Sequence, residues 1–137
     1  MPRILAADDD DLLRELVRLR LCAAGHQVYS FPDGATALAA VPDVAPDCIV
    51  LDMTLAEMSG LAVLSALKAD QDFAHVPVIM LTDRKGQDDV LAALRAGAAD
   101  YLVKPFFPDE LSLRIASVLQ REGIGAQAWP RGRSAAA

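Results

Sequence analysis

Several acidic residues lie where short apolar runs of the sequence end. Asp52 follows one such run, and another is followed by four consecutive aspartates, Asp8, Asp9, Asp10 and Asp11. Acids in the first turn of a helix gain about 0.3–1 kcal/mol each from the helix dipole, so helix capping is one explanation. Carboxylates that converge from two strand ends cost stability unless a cation lies between them. The acids therefore fit either capping or a site for a hard divalent ion, Mg²⁺ or Mn²⁺.

A hydroxyl group and an ammonium group follow two further apolar runs. Thr82 ends one run, and Lys104 precedes Pro105 at the end of the next. Taken singly, a threonine at a strand end is usually a β-former, and a lysine before proline is usually a solvated loop charge. Together with a nucleophilic carboxylate and a metal, they suit a phosphoryl group, whose transfer depends on positioning and on neutralised charge.

Alternating strands and helices must position these residues. Strands are predicted at residues 3–7, 27–31, 47–51, 76–82 and 100–104. Uninterrupted apolar runs at 48–51 and 78–81 indicate strands covered on both faces, as in a parallel sheet. The predicted fold class is a doubly wound α/β domain with a five-stranded parallel sheet flanked by five helices. In such sheets ligands bind beyond the carboxyl ends of the strands, where the strand order reverses.

Capping residues mark the ends of the predicted helices. The first helix is predicted over residues 11–24, with apolar residues at helical spacing at Leu13, Leu16, Val17 and Leu21. Residues that favour helix starts precede or open three others, at Asp33, Ser59 and Pro108. Gly25 and Gly97 are placed to end helices, because glycine readily adopts the left-handed conformation found there.

The composition argues against two classes of binding partner, nucleic acids and membranes. The net charge is −6 and the pI is near 4.7, which gives no basic surface for a phosphate backbone, so this segment is not expected to bind nucleic acid directly. No apolar run approaches the roughly 18 residues of a membrane span, and residues 1–5 enter a predicted strand too early for a signal peptide. We therefore predict a cytoplasmic protein without a membrane segment.

Two regions are predicted along the chain. Residues 1–121 carry all the periodic patterns and form one domain of ordinary size. Residues 122–137 are rich in glycine and alanine and lack periodicity, which is typical of a flexible tail or linker. Within these 137 residues no output domain is visible.

The strand-end motifs occur in the order of a known family. They are Asp8-Asp9, Leu51-Asp52, Leu81-Thr82 and the hexapeptide from Tyr101 to Phe106. With these motifs in a βα frame, residues 3–121 resemble the receiver domains of response regulators in bacterial two-component systems. The resemblance implies a flavodoxin-like receiver fold and a phosphorylation-dependent signalling switch. Such a domain is not an enzyme with separate substrates, since it assists only its own phosphorylation and dephosphorylation.

The resemblance also assigns roles around the phosphoacceptor. It implies that Asp52 accepts a phosphoryl group from a histidine kinase, a phosphotransfer protein or a small phosphodonor and becomes an aspartyl phosphate. Asp9 and Asp52 would ligate Mg²⁺, or Mn²⁺, directly. The backbone carbonyl of Thr54 would complete the protein ligands, and Asp8 would act mainly through a metal-bound water.

The remaining roles concern the phosphoryl oxygens and the switch. The resemblance implies that Lys104, followed by a cis bond to Pro105, pairs with one phosphoryl oxygen. Thr82 would hold another, and its movement would be coupled to the ring of Tyr101. The implied output is an attached domain or a separate target protein. A monomer or a weak dimer is expected, because the fourth helix carries Val90, Leu91 and Ala92 where dimeric relatives often carry arginine.

The sequence departs from the family pattern after the switch threonine. Asp83 stands where the family usually has alanine or glycine. Its carboxylate either repels the phosphoryl group, which would limit the phosphorylated state, or turns to solvent and leaves the switch unaffected. Arg84 could offset part of that charge. Asp83 and Arg84 are therefore predicted to tune the lifetime of the phosphorylated form.

The sequence pattern can be compared with three other functions. A receiver-like interaction module that works without phosphate keeps the scaffold, but only Asp83 favours it. A phosphohydrolase with an aspartyl nucleophile typically has a second aspartate two residues after the first, where this chain has Thr54. A nucleotide-binding enzyme would need a glycine-rich phosphate loop after a strand, and none is present in the sequence.

Overall fold

A computed structural model describes residues 1–83 and 87–123 of the chain. In this part, strands and helices alternate as follows: β1 Arg3–Ala7, α1 Asp11–Ala23, β2 Gln27–Phe31, α2 Gly34–Val44, β3 Cys48–Asp52, α3 Gly60–Lys68, β4 Val78–Thr82, α4 Gln87–Arg95, β5 Asp100–Val103 and α5 Pro108–Arg121. Arg84 and most of the predicted tail, residues 124–137, lie outside the described residues. The domain boundary at residue 121 therefore stays a prediction.

The strands form one parallel sheet in the order β2-β1-β3-β4-β5. The chain adds β2 on one side of β1 and then crosses to add β3 on the other, so the strand order reverses between β1 and β3. The predicted doubly wound α/β class is confirmed. The carboxyl ends of β1 and β3, where the acids lie, are at the reversal point that such folds use for ligands.

Apolar side chains cover both faces of the sheet. On β3, Ile49 and Leu51 join a core with helices α2, α3 and α4, whereas Cys48 and Val50 join a core with helices α1 and α5. Every residue of β3 and β4 is buried, which explains their uninterrupted apolar sequences. The central strands are thereby fixed from both sides, and their carboxyl ends are held rigidly.

The capping residues mark the helix starts as predicted. Asp10 accepts a hydrogen bond from the Leu13 N–H at 3.0 Å, and Asp33 and Ser59 cap α2 and α3 in the same way. Gly97, with φ of +108°, follows α4 in the left-handed region that glycine favours. The acidic run therefore includes a true helix cap at Asp10, whereas Asp8 and Asp9 lie before the helix.

Some predicted boundaries were wrong by one or two residues. Strand β4 begins at Val78 rather than at residue 76, because the Val76 N–H closes a turn on the Phe73 carbonyl at 3.0 Å. Pro77 has no N–H to donate to a sheet. In α1, Val17 and Leu21 are buried, but Leu16 is 44% exposed and does not belong to the core.

Within residues 1–83 and 87–123, no helix combines the length and the apolar character that crossing a bilayer requires.

Candidate functional site

The acids predicted to converge do so at the carboxyl ends of β1 and β3. Ala7 pairs with Leu51 across these strands, so Asp8 and Asp52 follow at the same level of the sheet. Carboxylate oxygens of Asp8, Asp9 and Asp52 all lie within 4.8 Å of one another. Asp8 and Asp52 are each 4% exposed, whereas Asp9 is exposed to solvent. The site is thus open on the side of Asp9.

Lys104 reaches the same site from the end of β5. Its Nζ lies 2.8 Å from Oδ2 of Asp52 and 3.0 Å from Oδ2 of Asp8. The Lys104 N–H donates to the Thr82 carbonyl at 2.7 Å, which continues the pairing of β4 and β5 beyond the last strand residue. The Lys104-Pro105 peptide bond is cis, as expected. One ammonium therefore bridges carboxylates from two different strands.

Burial and charge oppose each other in this cluster. Burial raises the pKa of Asp52 above its usual value, the Lys104 ammonium lowers it in part, and the nearby Asp8 raises it again. Burial alone would lower the pKa of Lys104, but its contacts with Asp52 and Asp8 outweigh burial and raise that pKa. Each group therefore favours the charged form of the other: the carboxylates favour the Lys104 ammonium, and Lys104 favours the ionised form of Asp52.

The loop after β3 fixes the second oxygen of Asp52. Oδ1 accepts hydrogen bonds from the Thr54 N–H at 3.2 Å and from the Thr54 hydroxyl at 3.4 Å. Since Oδ2 is held by Lys104, both oxygens of the carboxylate have a partner and its plane is oriented. The role predicted for the Thr54 carbonyl as a metal ligand stays a prediction.

Gly60 contacts the backbone of this loop, and this role was not predicted from the sequence. Its N–H donates to the Met53 carbonyl at 3.0 Å, and a Cβ at this position would lie 2.0 Å from the Asp52 carbonyl oxygen. Only glycine therefore lets α3 approach the backbone of the phosphoacceptor candidate. The available signal is a glycine in the first helical turn, where most other residues would favour the helix more.

Thr82 is the last residue of β4, and Tyr101 lies on the neighbouring strand β5. Thr82 is fully buried, and its hydroxyl has no hydrogen-bond partner among the described residues. Tyr101 is half-buried and packs against the core that includes Leu51 and Met80. Tyr101 pairs with Met80, and Thr82 pairs with Val103, so the two side chains start two residues apart along the sheet. An unpaired buried hydroxyl is rare and marks a position where an acceptor can bind.

A cleft of about 470 Å³ opens beside Lys104. Its lining consists of Asp10, Leu12, Leu13, Leu16, Asp83, Lys104, Pro105 and Phe106. Asp83 is exposed and lines this cleft together with Lys104. The structure therefore places Asp83 beside the site.

The donor set fits a small divalent cation. Three carboxylates offer hard oxygen ligands, and Oδ2 of Asp8 is buried without an aligned hydrogen bond although Lys104 is nearby. Mg²⁺ keeps several waters and needs only one or two carboxylates from the protein, so the exposed side at Asp9 suits it. The residues that would hold the ion are Asp8, Asp9 and Asp52.

Fold and site together define a receiver-type α/β domain, with an oriented and largely buried aspartate at the topological switch point. The chain belongs to the response regulator receiver domain family, whose family model matches residues 4–116. The resemblance in the sequence is thereby confirmed.

Curated relatives extend the comparison. The chain is 46% identical over 128 residues to the transcriptional regulatory protein PrrA of Mycobacterium tuberculosis, with 91% of this chain and 53% of that protein covered. It is 40% identical over 119 residues to the DNA-binding response regulator MtrA of Mycolicibacterium smegmatis, with 87% and 51% covered. The chain spans about half the length of these relatives.

Solved structures agree with the fold. A response regulator from Chloroflexus aurantiacus superposes with a TM-score of 0.83 at 32% identity, covering 88% of this chain and 98% of that one. The chemotaxis response regulator CheY4 of Vibrio cholerae gives a TM-score of 0.81 at 31% identity, covering 87% and 99%. The fold is therefore that of a receiver domain over nearly all of these chains.

Proposed function

We propose that the domain is a phosphorylation-dependent switch in which Asp52 is the phosphoacceptor. The observation that carries this proposal is the bridge from Lys104 to Asp52 and Asp8, with Asp9 open to solvent beside it. A buried carboxylate that is oriented by hydrogen bonds and whose ionised form is favoured by a cation is prepared to act as a nucleophile. Only positioning and neutralised charge are then needed for phosphoryl transfer.

The transfer is a displacement at phosphorus. An oxygen of the Asp52 carboxylate forms a bond to phosphorus, and the bond from phosphorus to the donor nitrogen of a phosphohistidine, or to the oxygen of an acyl phosphate, breaks. A bound Mg²⁺, held by Asp8, Asp9 and Asp52, would neutralise the phosphoryl oxygens. Lys104 can move its ammonium from Asp52 to one phosphoryl oxygen. Hydrolysis of the aspartyl phosphate returns the carboxylate and inorganic phosphate.

We propose that Thr82 and Tyr101 change conformation when Asp52 is phosphorylated. The Thr82 hydroxyl, which has no hydrogen-bond partner within residues 1–83 and 87–123, donates to a second phosphoryl oxygen and moves toward Asp52. That movement opens space behind Thr82, which the ring of Tyr101 can enter from its half-buried position on β5. The surface near β5 would then differ between the two states, and a partner could distinguish them.

The proposed partners follow from the chemistry and from the relatives. The donor is a histidine kinase or a phosphotransfer protein, acting in the cytoplasm. Because PrrA and MtrA are named as transcriptional or DNA-binding regulators and are about twice as long, we propose that the output is a DNA-binding domain in a longer regulator. We also propose a monomer or a weak dimer, because α4 carries Val90, Leu91 and Ala92 where dimeric relatives often carry arginine.

The first test is intact mass spectrometry after incubation with acetyl phosphate or phosphoramidate and Mg²⁺. We expect one added phosphoryl group in the parent, cleaved by hydroxylamine as an acyl phosphate, and none in Asp52→Asn. An equal mass increase in Asp52→Asn would refute the assignment. No increase in the parent would instead favour an interaction module that works without phosphate.

We further predict that Asp83→Ala prolongs the phosphorylated state several-fold. At an assumed distance of about 6 Å, each unit of phosphoryl charge would repel the Asp83 carboxylate by roughly 0.7–3 kcal/mol for effective dielectrics between about 80 and 20. The measurement is the dephosphorylation rate and the steady-state occupancy of Asp83→Ala against the parent. Arg84→Ala tests charge compensation and should shorten the lifetime. Unchanged values in Asp83→Ala would show that this carboxylate does not act on the switch.

A further inference from the structure

Arg14 reaches back from α1 to the loop that carries the acids. Its Nη1 donates to the backbone carbonyl of Asp8 at 2.8 Å, and its Nη2 donates to Oδ1 of Asp11 at 2.7 Å. The Arg14 side chain is only 21% exposed, whereas that of Asp11 is 88% exposed. The contact with the Asp8 carbonyl is therefore the better shielded of the two and the one expected to hold the side chain in place.

This contact fixes the backbone from which Asp9 departs. The Asp8 N–H donates to the Phe31 carbonyl at 3.2 Å, and the Asp8 carbonyl accepts from Arg14, so the main chain of Asp8 is held on both sides. The Asp8 carbonyl and the Asp9 N–H share one planar peptide group. The direction of the Asp9 side chain therefore depends on the orientation of this peptide plane, which the hydrogen bond from the Arg14 guanidinium fixes.

We propose that Arg14 is a positioning residue for the divalent cation. It orients the Asp8-Asp9 peptide so that the exposed carboxylate of Asp9 lies within 4.8 Å of the buried ones. Asp8 and Asp52 have Lys104 to hold them, but Asp9 has no hydrogen bond or ion pair within residues 1–83 and 87–123. Its position therefore depends on the backbone. This inference rests on the proposed metal-assisted function.

The charge and the geometry of Arg14 predict opposite effects on metal binding. A guanidinium near a cation site repels the cation, so removing it should tighten binding if charge is its only effect. A backbone support acts in the other direction, because a misplaced Asp9 weakens the site. Substitution of Arg14 therefore distinguishes the two effects: the metal affinity rises if only the charge matters, and it falls if the support of the backbone matters.

The experiment is a Mn²⁺ titration followed by electron paramagnetic resonance, with Mg²⁺ as competitor, on the unphosphorylated protein. We expect Arg14→Ala to raise the dissociation constant of the metal about tenfold, as for loss of other groups that orient ligands. Arg14→Lys keeps the charge but cannot span two acceptors in a fork, so it should give an intermediate value. Equal or tighter binding by Arg14→Ala would overturn the proposal.

Arg18→Ala is the matched control, since Arg18 lies one turn further along α1 and forms its ion pair with Glu15, away from the acidic cluster. It removes the same charge without touching the site, and its dissociation constant should stay within about twofold of the parent. Circular dichroism in EDTA checks that each variant is folded at the titration temperature. Absence of Mn²⁺ binding in the parent would refute the metal site and this inference with it, whereas binding by the parent and by Arg14→Ala alike would overturn this inference alone.

Discussion

Replacing Lys104 with methionine is expected to lower the free energy of unfolding of the metal-free protein by about 3–5 kcal/mol at neutral pH, because two buried carboxylates lose their cation. The side chains of Asp8 and Asp52 are 6% and 5% exposed, and their Oδ2 atoms lie 3.0 Å and 2.8 Å from the ammonium. Methionine keeps most of the apolar stem, so the loss is one of charge rather than of packing.

The pH dependence of this loss follows from Asp52. Its pKa is already raised by burial, and removal of Lys104 should raise it further. A carboxyl group with a folded pKa above its unfolded value makes the fold less stable as pH rises between the two values. The cost of Lys104→Met should therefore be small in acid, where Asp52 is protonated in both proteins, and should reach its full size above the folded pKa of Asp52 in the variant. It should persist until the parent's Lys104 loses its proton, above its unfolded pKa of about 10.4.

Lys68→Met is the matched control for this experiment. The Lys68 ammonium donates to the carbonyls of Ala74 and Val76 at 2.9 Å and 3.1 Å, and burial lowers its pKa. Its hydrogen-bond partners are neutral and its one charged neighbour, Glu122, acts only through space, so its loss should depend on pH much less than the loss of Lys104 does. Urea unfolding in EDTA measures both variants. Adding Asp8→Asn to Lys104→Met should recover part of the stability, and a pH-independent loss in Lys104→Met would contradict the account.

The convergence of Asp8, Asp9 and Asp52 could be predicted from sequence, because parallel strands bring their carboxyl ends to one edge. Uninterrupted apolar runs located β3 and β4, and good capping residues located the starts of α1, α2 and α3. These features depend on local residue types and on the spacing of apolar residues, and both can be read directly from the sequence. The alternation of these strands and helices was sufficient to predict the fold class.

The contacts that hold the site could not be predicted in the same way. That Lys104 bridges Asp8 and Asp52 depends on the register of β5, and the hydrogen bond from Arg14 to the Asp8 carbonyl depends on a rotamer. The contact of Gly60 with the Asp52 backbone depends on how closely α3 approaches β3. Leu16 fits the apolar period of α1 but lies at the cleft rather than in the core, because helical spacing alone does not fix how much of a face is covered.

The second large effect is expected at Asp9, where Asp9→Asn should weaken Mg²⁺ binding by at least about thirtyfold. At 4 Å, a unit charge and a divalent ion attract by about 2 kcal/mol even at the dielectric of water, which corresponds to that factor. Lys104 offsets one of the three negative charges of the cluster through its contacts with Asp8 and Asp52, whereas the Asp9 carboxylate has no such contact with Lys104. Calorimetric titration with Mg²⁺ measures the change directly.

The same substitution should slightly stabilise the metal-free fold, because it removes one of three neighbouring carboxylates. Asp10→Asn is the control, since it removes an equal charge one residue away and asparagine caps a helix as well as aspartate does. Its metal affinity and its stability should both stay close to those of the parent. A ligand role therefore requires opposite changes in Asp9→Asn: a higher unfolding temperature in EDTA and a weaker affinity for Mg²⁺. Equal Mg²⁺ affinity in Asp9→Asn and Asp10→Asn would remove Asp9 from the metal site and leave the acidic run with helix capping as its only explanation.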